Sequence, residues 1–303
     1  MMKSMLDRVR RFLELIRFSH TLFALPFALM SALLAWHAKR TFHWLELIGI
    51  LTCMVFARGA AMAFNRLVDR DVDALNPRTA GRHLPARLLS VPAVIAFTLL
   101  CAVGFLGSTM LFLHADPPNP WPMRLGVPVL AFVLAYSYTK RFTSLAHFWL
   151  GASLLLAPVG AWIALKGLDG LNIAFTLGGV VLFWVAGFDI LYACQDADFD
   201  RQAGLRSIPA RLGVVGAFRV AMLCHVVMWG LLVWLYFLAQ PPLGSIYLTG
   251  VALVALLLIY EHSLVRPNDL ARVNQAFFNV NVVISMGLLA MIAMEVGLDL
   301  WMQ

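Results

Sequence analysis

The chain has 303 residues, of which 61% are hydrophobic and only 13% are charged. This composition excludes a soluble globular domain, which does not need so much apolar surface, and it indicates an integral membrane protein. The formal net charge of +7 does not indicate nucleic-acid binding, because an excess of Lys and Arg is expected in the loops on one side of a membrane.

Nine apolar stretches are candidates for crossing a hydrocarbon core about 30 Å thick. In chain order they are 18–37, 44–64, 90–112, 125–138, 145–165, 172–194, 213–237, 243–260 and 276–297. The fourth is short and contains Pro128, so its limits are the least well defined. The first is not followed by a small-residue cleavage site, which favours a membrane span over a signal peptide. We therefore predict an all-α, polytopic membrane protein of about nine transmembrane helices, with residues 1–303 in one domain.

The basic residues predict how these spans are oriented. With a cytoplasmic N-terminus, eighteen Lys and Arg side chains lie inside and four lie outside, while Arg58 lies within the second span. This bias predicts that the N-terminus is cytoplasmic and, with nine spans, that the C-terminus is outside.

An acidic cluster follows the second span and reads Asn65-Arg-Leu-Val-Asp69-Arg-Asp71-Val-Asp73. The spacing i, i+4, i+8 puts Asn65, Asp69 and Asp73 on one face of a continuous helix. Asp71 falls off that face, so it is expected to be solvated or paired with a basic side chain.

A second acidic cluster follows the sixth span, within Asp189-Ile-Leu-Tyr192-Ala-Cys-Gln-Asp196-Ala-Asp198-Phe-Asp200. On a continuous helix Asp189, Tyr192, Asp196 and Asp200 share one face, and Asp198 does not. Grouped carboxylates repel one another unless a cation neutralises them. Because hard oxygen ligands suit Mg²⁺ and its phosphate partners, two such clusters at one membrane surface predict a site for a diphosphate ester. The alternative is two ordinary charged loops at the membrane edge.

A diphosphate also requires positive charge near the carboxylates. Lys140 and Arg141 follow Tyr136 in the segment Tyr136-Ser-Tyr-Thr-Lys140-Arg141 at the end of the fourth span. The other basic candidates flank the clusters or lie two turns inside the second span: Arg66, Arg82, Arg206 and Arg58. These side chains could instead be plain membrane-edge anchors, an alternative that applies least to Arg58.

An internal repeat links the two clusters. The loop after the first cluster ends Arg82-His-Leu-Pro-Ala-Arg-Leu, and the loop after the second ends Arg206-Ser-Ile-Pro-Ala-Arg-Leu. Similar blocks at corresponding places predict duplicated halves that meet around a common site.

The cysteines and histidines give weaker signals. The four cysteines fall within or beside spans at unrelated spacings, so neither a disulfide framework nor a zinc site is predicted. The histidines, among them His20, His83 and His147, lack metal-ligand spacing, and we interpret them as structural or interfacial.

Taken with the nine spans, the pattern Asn65-x-x-x-Asp69-x-x-x-Asp73 and Asp196-x-x-x-Asp200 resembles the UbiA superfamily of intramembrane prenyltransferases. The likeness extends over almost the whole chain, from Phe18-Ser-His-Thr through the Tyr-Thr-Lys-Arg stretch to Gly187-Phe-Asp-Ile-Leu-Tyr-Ala-Cys-Gln-Asp. These phrases are most similar to the bacterial branch that includes 4-hydroxybenzoate polyprenyltransferases and the enzyme proposed for the futalosine route to menaquinone.

The resemblance implies two pseudo-repeated halves around a central site that is open to the membrane. It implies that Mg²⁺ held by Asp69, Asp73, Asp196 and Asp200, with Asn65, binds a polyprenyl diphosphate, while Lys140 steadies the diphosphate as the C–O bond ionises. The same resemblance, together with the basic residues above, suggests these substrate-binding side chains: Asn65, Arg66, Arg58, Tyr136, Arg141, Asp189, Tyr192 and Arg206. Arg66 departs from the common pattern, in which Asp follows the Asn, and it is suited to an acidic acceptor.

The implied function is prenyl transfer to an aromatic ring in quinone biosynthesis, at the cytoplasmic side of a bacterial inner membrane. The partners would be the two substrates and membrane lipid, with no obligate protein partner evident. The acceptor is left open between 4-hydroxybenzoate, a dihydroxynaphthoate and, less in keeping with the sequence, haem or a chlorophyllide.

An ion-coupled transporter is a competing class, but its acidic residues are expected near the midplane. A CDP-alcohol phosphotransferase would carry an Asp-x-x-Asp-Gly-x-x-Ala-Arg run, which is absent.

Overall fold

The structure is a computed structural model, and it describes residues 11–12, 14–15, 23–239, 242–270, 272–273 and 276–302. Apart from one β-bridge between Arg266 and Asp269, the regular structure of these residues is helical, so the predicted all-α class is confirmed. The α-helices are α1 (Leu25–Lys39), α2 (Trp44–Leu75), α3 (Val91–Thr109), α4 (Trp121–Ala135), α5 (Ala146–Lys166), α6 (Leu171–Ala193), α7 (Ala197–Gln202), α8 (Ile208–Leu238), α9 (Ser245–Leu264) and α10 (Asn281–Met302).

Seven helices of the described chain are long and apolar enough to cross a membrane. The helices at the first and fourth predicted spans, α1 and α4, have only 15 residues each. That length gives about 22 Å of α-helix, less than a ~30 Å hydrocarbon core. Residues 18–22, at the start of the first predicted span, lie outside the described residues. The predicted count of nine spans is therefore approximate.

The chain divides into two compact units, one formed by Leu47–Tyr138 with the described part of 1–21, the other by Leu22–Glu46 with Thr139–Gln303. In the first unit, α2 packs against α3 through small residues. A Cβ added to Gly59 would meet Cys101 Sγ at 2.7 Å, and one added to Gly104 would meet the ring of Phe56 at 2.7 Å. Small residues let two membrane helices approach closely, so these glycines bring α2 and α3 together.

In the second unit, α6 is the central helix and packs against α5 and α8. Gly151 of α5 lies against the backbone of Leu182 of α6, and Gly187 of α6 lies against the His225 ring of α8. Because neither glycine has room for a Cβ, the backbones at these crossings can approach closely.

A buried polar network also fixes α6. Trp184 Nε1 donates a hydrogen bond to Asn281 Oδ1 at 2.5 Å, and Asn281 Nδ2 donates to Glu261 Oε1 at 3.1 Å. All three side chains are fully buried. Polar side chains that hydrogen-bond across helices stabilise helix association in an apolar environment. The network therefore ties α6 to α9 and α10, one turn before Asp189.

Helix α8 begins five residues before the predicted span. The Ser207 side chain caps it by accepting from Ala210 N at 3.3 Å, and Pro209 occupies the first turn. Gly213 then interrupts the helix with φ 70° and ψ 172°, a left-handed φ that glycine adopts without strain. The predicted start at residue 213 coincides with this kink, and the turn before it belongs to the repeated Arg-Ser-Ile-Pro-Ala-Arg-Leu motif.

Candidate active site

The first acidic cluster is part of one helix, because α2 continues from its apolar part through to Leu75. Asn65 Nδ2 donates to Asp69 Oδ2 at 2.8 Å, one turn apart, so these two polar groups share a helical face. Asp73 is 5% exposed, whereas the Asp71 side chain is 86% exposed and pairs with Arg70 at 3.3 Å. The burial pattern follows the predicted helical spacing.

Two arginines compensate the charge of Asp73. Arg82 donates to Asp73 Oδ1 at 2.6 Å, and Arg66 lies 3.8 Å from Oδ2. Within the described chain, Oδ2 is buried and accepts no hydrogen bond. A buried carboxylate oxygen without a donor is costly, so this atom is a candidate ligand for a cation.

A basic cleft of about 290 Å³ lies beside Asp73 in the first unit. Its lining consists of Glu14, Leu15, Arg66, Arg78, Gly81, Arg82 and His83. His83 Nε2 lies 3.5 Å from the Glu14 carboxylate. Three guanidinium groups in one cleft can bind an anionic group by charge-assisted hydrogen bonds.

The second cluster departs from the predicted continuous helix. Helix α6 ends at Ala193, a 3₁₀ turn spans Cys194–Asp196, and the short α7 follows. A 3₁₀ turn has fewer residues per turn than an α-helix, so the predicted common face does not extend unbroken from Asp189 to Asp200. Asp196 and Asp200 are nevertheless 8% and 2% exposed. The Asp198 side chain is 88% exposed and pairs with Arg201 at 2.9 Å.

Lys140 is placed beside Asp200 by a contact that the sequence did not predict. Its Nζ lies 3.8 Å from Asp200 Oδ2, an oxygen that is buried and accepts no hydrogen bond within the described chain. Arg206 N donates to the Lys140 carbonyl at 2.7 Å, and the Arg206 guanidinium donates to the Phe142 carbonyl at 2.7 Å. Arg206 was predicted to bind substrate, but its contacts here hold the Lys140 segment. Arg82, at the equivalent position of the repeat, contacts the Asp73 carboxylate instead.

Asp189 pairs with a histidine that we interpreted as structural or interfacial from the sequence. His147 Nδ1 and Asp189 Oδ2 are 2.7 Å apart, and the two residues are 42 positions apart in the chain. The His147 side chain is fully buried, while that of Asp189 is 18% exposed. No periodicity or spacing signal connects the two positions, so sequence reasoning could not identify this pair.

The remaining predicted residues lie in different surroundings. Arg58 lies in α2, about two turns before Asn65, and Tyr136 begins the 3₁₀ helix that ends at Arg141. The Arg141 side chain is exposed. Tyr192 packs against the hydrophobic cluster of Val265 and Val273, so its contacts there are apolar.

Neither cluster by itself forms a complete metal site. In the described part of the chain, no group of three or more His, Cys, Asp or Glu side chains is arranged to hold a metal ion. The donors that are available are carboxylate oxygens, and one oxygen in each cluster is buried without a hydrogen bond. Mg²⁺ commonly takes only one or two carboxylates and completes its shell with water and substrate phosphates, so the donor set suits a Mg²⁺–diphosphate complex.

Comparison with known proteins identifies relatives along most of the chain. The UbiA prenyltransferase family matches residues 24–283. The 4-hydroxybenzoate octaprenyltransferase of Azoarcus sp. (strain BH72) is 30% identical over 249 residues, which make up 82% of each chain. The enzyme of the same name from Nitrosomonas europaea is 32% identical over 230 residues, covering 75% of this chain and 74% of that protein.

Solved structures have the same fold. The apo structure of a UbiA homolog from Aeropyrum pernix K1 superposes with a TM-score of 0.80 at 32% identity, over 93% of this chain and 98% of that chain. A UbiA homolog from Archaeoglobus fulgidus bound to DMAPP and Mg²⁺ superposes with a TM-score of 0.71 at 19% identity, over 95% of this chain and 99% of that one.

Proposed function

The chain belongs to the UbiA prenyltransferase family and is an integral-membrane prenyltransferase, and on that premise we propose that it transfers a polyprenyl group from its diphosphate to an aromatic hydroxy acid. The observation that carries the proposal is the burial of one unbonded carboxylate oxygen in each acidic cluster, on Asp73 and on Asp200. Relatives that are 30% and 32% identical over the aligned residues are named 4-hydroxybenzoate octaprenyltransferases, which makes 4-hydroxybenzoate the first candidate acceptor.

The residues proposed to hold Mg²⁺ are Asp69 and Asp73, with Asn65, in the first cluster and Asp196 and Asp200 in the second. Bound there, Mg²⁺ would neutralise the diphosphate and make it a better leaving group. A distant structural relative was solved with DMAPP and Mg²⁺, which supports a divalent cation as the cofactor.

The chain's own cations would act on the departing diphosphate. Lys140 is held next to the Asp200 carboxylate and is 33% exposed, so its ammonium group can turn to a phosphate oxygen. Positive groups that are already in place stabilise the charge that develops as the allylic C–O bond breaks. Arg141 and Tyr136 are proposed to assist in this binding. Arg206 is proposed to contribute by fixing the Lys140 backbone.

The acceptor is proposed to bind through its carboxylate and its hydroxyl group. Arg66 lines the basic cleft and Arg58 lies deeper along the same helix, so both are proposed to recognise the carboxylate. Asp189 and Tyr192 are proposed to contact the aromatic ring or its hydroxyl. A dihydroxynaphthoate is the second candidate acceptor, because the acidic motifs also resemble the futalosine-pathway branch.

We further propose that residues 1–303 act as one catalytic domain in a bacterial inner membrane, with a cytoplasmic N-terminus and an external C-terminus. The support is the bias of Lys and Arg toward one side of the predicted spans. The active site would then open to the cytoplasmic side, where a soluble aromatic acid is available.

The experiment is a prenyl-transfer assay in detergent with a polyprenyl diphosphate and either 4-hydroxybenzoate or a dihydroxynaphthoate. Transfer should be lost on chelation with EDTA and restored by Mg²⁺, while helical content measured by circular dichroism stays unchanged. Asp73→Asn and Asp200→Asn should each lower kcat by roughly 100-fold or more. The matched variants Asp71→Asn and Asp198→Asn change exposed carboxylates and should stay near the wild-type rate. Full activity under complete chelation, or equal losses at all four positions, would contradict the proposal.

A further inference from the structure

A buried histidine is held against Asp189, outside the two sets of proposed metal ligands. His147 occupies the first turn of α5, is 0% exposed, and places Nδ1 at 2.7 Å from Asp189 Oδ2. In the described part of the chain, His147 Nε2 is also buried and has no hydrogen-bond partner. The ring therefore makes one polar contact, through Nδ1, while Nε2 is unsatisfied. A buried polar group without a hydrogen-bond partner costs free energy.

The packing of α5 on α6 accounts for this geometry. Gly151 lies against the backbone of Leu182, and the two helices are antiparallel neighbours in the chain. His147 precedes Gly151 by one helical turn, and Asp189 follows Leu182 by two turns, so both lie on the same side of the crossing. The close approach at Gly151 therefore brings the ring within hydrogen-bond distance of the carboxylate.

The two members of the pair differ in access. The Asp189 side chain is 18% exposed, and His147 is covered completely. With a proton on Nδ1, His147 donates to Oδ2 and leaves Asp189 Oδ1 for another molecule. A hydrogen bond from a neighbouring residue fixes the orientation of a catalytic side chain, as in other carboxylate–histidine pairs.

Resting on the proposed function, we propose that His147 is a positioning residue that acts through Asp189 and holds this carboxylate to receive the proton lost by the aromatic acceptor. In the transfer, the allylic C–O bond breaks and its electron pair leaves with the diphosphate. A ring carbon of the acceptor then forms the new C–C bond, and the electrons of its C–H bond restore the aromatic ring. The released proton passes to Asp189 Oδ1, while Asp189 Oδ2 keeps its hydrogen bond to His147 Nδ1.

The test uses the full-length enzyme, a polyprenyl diphosphate, and 4-hydroxybenzoate carrying either hydrogen or deuterium on the ring. If the wild-type enzyme prenylates only a dihydroxynaphthoate, that acceptor is labelled instead. Replacing His147 with Leu should lower kcat by roughly 100-fold and leave the KM for the polyprenyl diphosphate unchanged. It should also produce a primary isotope effect that the wild-type enzyme lacks, because proton removal becomes the slow step.

Two further variants separate positioning from folding. His147→Asn keeps an N–H donor near the place of Nδ1, so it should recover much of the rate and reduce the isotope effect. His225→Leu removes another buried histidine of the second unit, which pairs with His262 at 3.0 Å, and it should give no isotope effect. Thermal unfolding in detergent reports whether each variant is folded. If His147→Leu does not fold, the rate and isotope effect of His147→Asn test the positioning role instead.

The results distinguish this inference from the function on which it rests. Failure of the wild-type enzyme to prenylate either acceptor would overturn the proposed function and this inference with it. An active wild-type enzyme combined with a fast His147→Leu variant, or with a slow variant that shows no isotope effect, would overturn only the role of His147.

Discussion

The last aspartate of each acidic cluster has its charge balanced in a different way. Asp73 contacts two arginines, Arg82 at 2.6 Å and Arg66 at 3.8 Å. Asp200 has Lys140 at 3.8 Å, and the repeat-related Arg206 binds backbone carbonyls instead. The sequence repeat is therefore not matched by a repeat of contacts: a rotatable ammonium group lies beside Asp200, whereas planar guanidinium groups lie beside Asp73.

Lys140 and its neighbour Arg141 differ in exposure and provide a matched pair for mutation. Lys140→Met should reduce kcat/KM for the polyprenyl diphosphate by roughly 100-fold, because it removes the charge that we propose stabilises the departing diphosphate. Arg141→Met removes an exposed charge from the adjacent position and should have a much smaller effect. Steady-state kinetics with varied donor concentration measure both. Equal losses for the two variants would indicate that Lys140 acts only as part of a general basic patch.

At the scale of the helices, the two clusters are built differently. The first lies within the continuous helix α2, whereas the second is distributed over α6, a 3₁₀ turn and the short α7. The 3₁₀ turn at Cys194–Asp196 changes the number of residues per turn, so Asp200 does not keep the α-helical register of Asp189. Helical periodicity therefore accounts for the first cluster better than for the second.

The crossing of α5 and α6 can be tested by adding one methyl group. Gly151→Ala would place its Cβ against the Leu182 backbone, which cannot move aside like the end of a flexible side chain. We expect a destabilisation of about 1–3 kcal/mol, seen as a lower Tm in detergent, together with reduced prenyl transfer because His147 is displaced from Asp189.

Gly160→Ala is the control on the same helix, since nothing lies within 4 Å of the added Cβ. The loss of backbone entropy in the unfolded chain should raise its stability by up to about 1 kcal/mol, without an effect on activity. A Gly151→Ala enzyme as stable and active as Gly160→Ala would show that the close helix contact is not required.

We predict that the 15-residue helix α4 crosses the membrane, as a total of about nine spans requires. Residues 86 and 202 are separated by α3, α4, α5 and α6. Four crossings return the chain to the same side, whereas three would leave it on the opposite side. The position of these two loops therefore tests α4 as well as the predicted orientation.

Single cysteines at Ala86, Gln202 and Ser245, all exposed positions, can be introduced after the four native cysteines are replaced. An impermeant maleimide should label the first two only in inverted vesicles and the cysteine at 245 only in intact cells, with labelling of all three in detergent as the control. Labelling of Ala86→Cys and Gln202→Cys from opposite sides would show that α4 does not cross, and would contradict the proposal that both acidic clusters lie on the cytoplasmic side.

The all-α membrane fold, most helix positions and the exposure of Asp71, off the face shared by Asn65, Asp69 and Asp73, could be predicted from the sequence alone. These features depend on apolar length and on the helical period, which are local properties of the chain. The 3₁₀ turn at Cys194–Asp196 was not predicted, because no residue there signals the change in pitch.

Which side chains contact each other could be seen only in the folded chain. Arg82 reaches Asp73 across nine residues, His147 reaches Asp189 across 42, and Arg206 reaches Phe142 across 64. Such contacts depend on how closely helices approach, and for His147 that distance is set by Gly151 and Leu182. His147 and Asp189 lie on different helices. The period of 3.6 residues predicts which side chains share a face of one helix, but not which side chains of a neighbouring helix they contact, so the pair could not be predicted.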